Sequence, residues 1–205
     1  MSGGLRGGRF VTLEGGEGGG KTTHGALLAT ALAAHGLPVL RTREPGGTPR
    51  AEAVRGLILG HGGWESGAEL ALHFAARREH WTRLIRPALQ AGIWVISDRF
   101  LDSSHAYQVA GQGADPALFE ALRQALVPDA MPDATVLLDL PEGAGLGRAR
   151  DANRYEELGA AFHARVRRGF LDRAAAEPAR FLTLDGTRPL AEVAAAILEH
   201  VLRGA

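Results

Sequence analysis

Positions 15–22 read Gly-Gly-Glu-Gly-Gly-Gly-Lys-Thr, five glycines, an acid, a lysine and a threonine in eight residues. The spacing matches G-x-x-x-x-G-K-[ST], with Gly15, Gly20, Lys21 and Thr22 in the fixed places. Glycines let a backbone curl until successive N–H groups point inward at a phosphate, and the positive end of a following helix reinforces them. Lys21 is the only lysine; every other member of the 23 Lys and Arg residues is arginine. A compact ammonium on a flexible stem can reach between two phosphates, where a planar guanidinium is too wide. Thr22 offers a hydroxyl to a Mg²⁺ ion. The expected ligand is a nucleoside triphosphate, held by Gly15, Gly16, Glu17, Gly18, Gly19, Gly20, Lys21, Thr22 and Thr23.

Three other stretches carry chemistry. "REPGGT" (43–48) includes Arg43 and Glu44, "DRFLDSSHAYQ" (98–108) opens on Asp98 and Arg99, and "RARDANRYEE" (148–157) holds Arg148, Arg150 and Arg154. Asp98 and Arg99 end an apolar run, where a charged pair without a task would be costly. Asp98 is placed to hold a Mg²⁺ shell or to orient an acceptor phosphate, and Arg99 to grip such a phosphate in a bidentate manner. The arginines of 148–157 follow glycine-punctuated chain, as a lid would need if it neutralises charge during phosphoryl transfer and excludes water.

The elements that must position these groups alternate along the chain. Apolar β-rich runs at 9–15, 38–44, 93–98, 134–140 and 180–185 read as strands buried on both faces. Between or after them, 22–36, 68–92, 116–126, 156–177 and 190–202 have helical period. This alternation predicts an α/β fold: a five-stranded parallel sheet with helices on both faces, three layers in all. All three charged stretches then fall at carboxyl ends of strands, where open α/β sheets bind ligands. The 205 residues suffice for one domain, with 1–8 a flexible lead-in and 142–157 a lid. Zero net charge advertises no face for nucleic acid, and zero cysteine excludes thiol catalysis and thiolate metal sites. No stretch reaches the length of a membrane span, which leaves the cytoplasm as the expected compartment.

Together these motifs resemble the thymidylate kinase family from about Arg9 to the last helix. The P-loop is generic, whereas "REPGGT" with "DRFLDSSHAYQ" is specific. The resemblance implies a three-layer P-loop kinase fold, with transfer of the ATP γ-phosphoryl to dTMP, using Mg²⁺ and serving dTTP synthesis. It implies Lys21, Asp98, Arg99 and the lid arginines Arg148, Arg150 and Arg154 as catalytic, and Thr22 and Asp98 at the metal. It places Glu17, Arg43, Glu44, Arg55, Arg99, Ser103, Tyr107 and Gln108 around dTMP, with Glu17 near the sugar 3′-hydroxyl. The P-loop carries Glu17 and no arginine, so the catalytic arginine is expected from the lid. The family also forms homodimers through helices, with 67–91 a candidate face.

One departure concerns the base. In the family a helix aromatic stacks on thymine and an arginine four residues later bonds its carbonyl. Counting from Pro87 and His80 selects Arg77, with His73 four residues earlier; residue identity selects Phe74, with Arg78 as its partner. The count is favoured. Alternatives in function are a kinase for dUMP or UMP, or a P-loop switch protein; against the switch stands the absence of any N-K-x-D signature.

Overall fold

The computed structural model of the chain describes residues 7–60, 62–141, 155 and 158–203. Five strands form one sheet: β1 (Phe10–Glu14), β2 (Val39–Arg43), β3 (Trp94–Asp98), β4 (Ala134–Asp139) and β5 (Phe181–Asp185). All neighbours are parallel, in the order β2-β3-β1-β4-β5. β1 is fully buried. Its one neutral polar residue is satisfied, since the Thr12 and Thr135 hydroxyls bond at 2.8 Å. The strand order reverses at β1, the position where doubly wound sheets open a crevice beyond the strand ends. Leu13 and Arg43 both lie beside Asp98 in register, and Glu14 beside Leu137, so the chemical residues finish on one edge.

Alternation along the strands sends side chains to opposite faces. Val11, Leu13, Ile96, Val136 and Leu138 pack on α1 (Lys21–Ala34) and, through Val193, Ile197 and Val201, on α8 (Leu190–Arg203). On the other face Phe10 and Val95 meet Leu70, Phe74 and Trp81 of the helical rod that begins with α3 (Ser66–His80). The same face carries α6 (Pro116–Leu126) and α7 (Ala160–Ala176). This is the expected three-layer sandwich.

Two elements depart from the reading of the sequence. The stretch after "REPGGT" is a full helix, α2 (Pro49–Gly60), with Pro49 in the first turn where its missing N–H costs nothing. The long rod is interrupted: α3 runs into a π-helical turn, Trp81–Ile85, before α4 (Arg86–Gln90). Pro87 explains the widening, since it has no N–H and its ring would clash with a carbonyl one α-turn back. The segment after β3 forms α5 (Leu101–Ser104) and a second π-helical stretch, His105–Gly111.

Candidate active site

The phosphate loop joins β1 to α1. Gly15, at φ +132°, lies so close to β4 that a Cβ would sit 2.4 Å from the Leu138 carbonyl oxygen. Only glycine fits there. Lys21 is buried and donates from Nζ to the carbonyls of Gly15 (3.1 Å) and Gly16 (2.6 Å). Burial, then the nearby Arg99 guanidinium, pulls its pKa down to about 8 against the opposing pull of Glu17, Asp98 and Glu14. Beside it, the Thr22 hydroxyl donates to Asp98 Oδ2 at 2.6 Å.

Arg99 is the hub between loop and cleft. It takes a left-handed backbone, φ 72°, rare for a side chain of its size, and its amide bonds the Leu13 carbonyl. Nη1 donates to Gly15 O and Ser103 Oγ, both at 3.0 Å; Nη2 donates to Glu17 Oε1 (2.8 Å) and Tyr107 Oη (3.1 Å). Burial opposes a charge on Glu17, but Arg99, Lys21 and the Tyr107 hydroxyl outweigh it and hold its pKa at about 2. Behind Arg99, Glu14 accepts from the Phe100 amide (2.8 Å) and the Ser103 hydroxyl (2.5 Å). Burial, then the nearby Asp102 carboxylate, raises Glu14 to about 7.

The far wall comes from β2, α2 and α3. Glu44 is buried; Arg77 Nε donates to it at 2.8 Å and His80 Nδ1 bonds it at 3.0 Å. Burial works against that carboxylate's charge, and the Arg77 guanidinium wins, lowering its pKa. His80 also bonds the Thr42 hydroxyl at 2.7 Å, and a Cβ on Gly47 would strike its ring at 2.3 Å. Arg43 pairs with Glu52 at 3.0 Å, and Arg55 donates to the Pro45 carbonyl at 2.9 Å. Burial and the neighbouring Arg43 depress the Arg55 pKa, so a phosphate anion nearby would relieve it.

A cleft of about 1140 Å³ unites these groups. Its lining includes Glu17 to Thr23, Arg43, Glu44, Arg55, His73, Arg77, Asp98, Arg99, Ser103, Tyr107 and Gln108. Two side-chain atoms of cleft-lining residues are buried without a protein partner, Arg77 Nη1 and Gln108 Oε1. Phe74 does not line the cleft, which corrects its placement on the base. It is fully buried against Phe119, ring centroids 5.4 Å apart, with the Arg77 guanidinium over its other side at 5.0 Å. Arg78 instead ties the rod to the end of α6 through the Leu126 carbonyl. We expect Phe74→Ala to cost about 3–5 kcal/mol as a core cavity. Thermal melts should fall by roughly 10 °C while calorimetry on folded protein finds nucleotide affinity unchanged. Arg148, Arg150 and Arg154 lie outside the described residues.

A sequence model of the thymidylate kinase family matches residues 13–197. The chain belongs to the thymidylate kinase family. It is 48% identical over 197 residues to a thymidylate kinase of Methylococcus capsulatus, covering 95% of each chain. It is 46% identical over 195 residues to that of Methylobacillus flagellatus, covering 94% of this chain and 96% of the relative. The crystal structure of thymidylate kinase from Ehrlichia chaffeensis superimposes with a TM-score of 0.79 at 36% identity, covering 96% of this chain and 99% of that one.

Within the family's architecture, the donors present suit Mg²⁺. Thr22 Oγ1 and Asp98 Oδ2 are hard oxygens 2.6 Å apart at the mouth of the loop. Among the described residues no group of three or more His, Cys, Asp or Glu side chains could hold a metal alone. Mg²⁺ at phosphoryl-transfer sites uses one or two protein oxygens and takes the rest from phosphates and water. Sequence reasoning missed Glu14, Glu69, His80 and Tyr155. A signal existed for Glu69, which sits four residues before His73 and eight before Arg77, on their helix face.

Proposed function

We propose that this chain transfers the γ-phosphoryl group of ATP to the phosphate of dTMP, giving ADP and dTDP. The observation that carries the acceptor is the pair of unpartnered buried atoms on two cleft-lining residues: a donor, Arg77 Nη1, and an acceptor, Gln108 Oε1. A thymine edge presents a carbonyl oxygen beside an N3–H, the matching acceptor and donor. Cytosine presents an amine beside a bare ring nitrogen, and both contacts would be mismatched. His73, lining the cleft one turn from Arg77, supplies the stacking face.

Arg99, Arg55 and Arg43 bind and orient the dTMP phosphate, and Glu17 accepts from the sugar hydroxyl. Tyr107 and Ser103 hold Arg99 in place. The acceptor phosphate oxygen attacks the γ-phosphorus in line, the bond to the bridging β-γ oxygen breaks, and ADP leaves with that electron pair. The attacking oxygen is already ionised at neutral pH, so positioning replaces a general base. Lys21 shifts its hydrogen bonds from the Gly15 and Gly16 carbonyls to the β- and γ-phosphates. Mg²⁺, held by Thr22 and Asp98, neutralises charge on those phosphates when bound. Arg148, Arg150 and Arg154, in the lid at 142–157 of a single kinase domain, supply further positive charge. By its resemblance to the family, the enzyme is read as a cytoplasmic homodimer; among the described residues no helix is long and apolar enough to cross a membrane.

An acceptor panel of dTMP, dUMP, UMP and dCMP with MgATP tests this. Preferential turnover of dTMP is expected; equal turnover of dCMP, or hydrolysis without acceptor stimulation, would refute it. A pH effect follows from Lys21. Its pKa is about 8 without nucleotide, and adjacent phosphates should raise it. The complex then binds more protons than the free enzyme above pH 8, so ATP affinity should fall as pH rises through that range. Calorimetry at pH 8.5 in buffers of different ionisation enthalpy should register uptake of up to one proton per ATP, and proton release would contradict the scheme.

A further inference from the structure

Glu69 lies on α3 with no solvent exposure, and three donors converge on its Oε1. They are the Tyr155 hydroxyl at 2.6 Å, Gln108 Nε2 at 2.9 Å and Gln112 Nε2 at 2.9 Å. With three donors on it, Oε1 acts toward all of them as an acceptor and cannot donate.

That polarity propagates. Gln108 turns its NH₂ toward Glu69, which leaves Oε1 of this cleft-lining residue buried without a protein partner. Tyr155 has one hydroxyl proton, and the 2.6 Å bond to Glu69 takes it. Its lone pairs then face Gln108 Nε2 and His73 Nε2, both at 3.3 Å. In that bond the imidazole must be the donor, so His73 carries its proton on Nε2.

We infer that Glu69, which does not itself reach the base, is a positioning residue that sets the hydrogen-bond direction of the nucleobase pocket and thereby selects thymine over cytosine. This rests on the dTMP reading above. Without an acceptor-only partner, the Gln108 amide could turn over and offer an N–H to the base. It would then repel the N3–H of thymine and welcome the N3 lone pair of cytosine.

The test is Glu69→Gln, which keeps shape but can donate. The kcat/KM ratio of dTMP over dCMP should fall at least tenfold, through KM for the acceptor, while KM for ATP stays near wild type. Glu69→Asp, still acceptor-only, should retain more of that ratio despite a similar packing loss. A ratio unchanged in Glu69→Gln, or lost equally in Glu69→Asp, would make Glu69 a packing residue and overturn the inference. Should Glu69→Gln fail to fold, the exchange Glu69→Gln with Gln108→Glu keeps one carboxylate and one amide in the same space. There the new carboxylate faces the base as acceptor, so dTMP should stay preferred; equal use of dCMP would overturn the inference. A wild-type enzyme that did not prefer dTMP over dCMP would instead sink the functional reading, before any variant is made.

Discussion

Lys21→Arg should give a folded protein whose kcat is lower by about a thousandfold. Charge is retained and the substitution sits at the first residue of α1, so the melting temperature should stay close to wild type. Geometry is what changes. Nζ occupies a buried slot between the carbonyls of Gly15 and Gly16, and the Arg99 guanidinium already donates to Gly15 O from the other side at 3.0 Å. A second guanidinium would compete with Arg99 for that carbonyl, and its wider fork could not enter between the β- and γ-phosphates. Losing one preorganised donor to a transferring group costs about a hundredfold to a thousandfold in turnover. Displacement of Arg99 adds to that figure. Steady-state kinetics with a parallel thermal melt decide the matter, and a Lys21→Arg enzyme of near-normal kcat would overturn the role given to this lysine.

The second large effect is expected at Arg77. It is only 2% exposed, and it joins Glu44, the Phe100 carbonyl (3.0 Å) and the Ser104 hydroxyl (2.9 Å) while Nη1 has no protein partner and, on the proposed function, meets the base. Arg77→Ala removes a base contact in a desolvated site, about 1–3 kcal/mol, or roughly tenfold to a hundredfold or more in dTMP affinity. It also strips buried Glu44 of its guanidinium, which should cost about 3–5 kcal/mol of stability. His80 remains bonded to that carboxylate and keeps the loss from growing further. Arg77→Lys separates the two effects. An ammonium can stay near Glu44, so stability should largely return, but it cannot span Glu44, Phe100, Ser104 and the base together. Dissociation constants for dTMP and denaturant midpoints on Arg77→Ala, Arg77→Lys and Arg78→Ala give the answer. Arg78→Ala should be nearly silent in affinity. Wild-type dTMP affinity in Arg77→Lys would mean that another residue reads the pyrimidine.

The contrast between Arg77 and Arg78 shows where sequence reading ends. The phosphate loop was legible because its chemistry is contiguous: one strand end, one glycine run, one lysine and one helix start. The sheet was legible because its central strands β1, β3 and β4, buried on both faces, must be apolar. The edge strands β2 and β5 are partly exposed, against the expectation that all five are buried, and stood out only as β-rich runs between helical segments. α2 was harder to see, since Gly56 and Gly60 dilute its pattern and its buried face is small, Ala51 and Ile58. The π-helical turn at Trp81–Ile85 had its cause written in the sequence as Pro87. The choice between His73 and Phe74 was different in kind. Adjacent helix residues point about 100° apart, and periodicity alone cannot say which face meets the sheet and which meets the cleft. Docking of α3 decided that, by burying Phe74 against Phe119 in the core shared with Phe100 while leaving His73 to line the cleft. Glu14 reaching Ser103, and Tyr155 reaching Glu69, bridge 89 and 86 residues of chain. By itself the sequence determined the fold, the phosphate loop and the family, because each is written in local spacing. Only the tertiary structure decided which carboxylates hold the side chains around the cleft, because a hydrogen bond's direction depends on partners that folding brings together from distant parts of the chain.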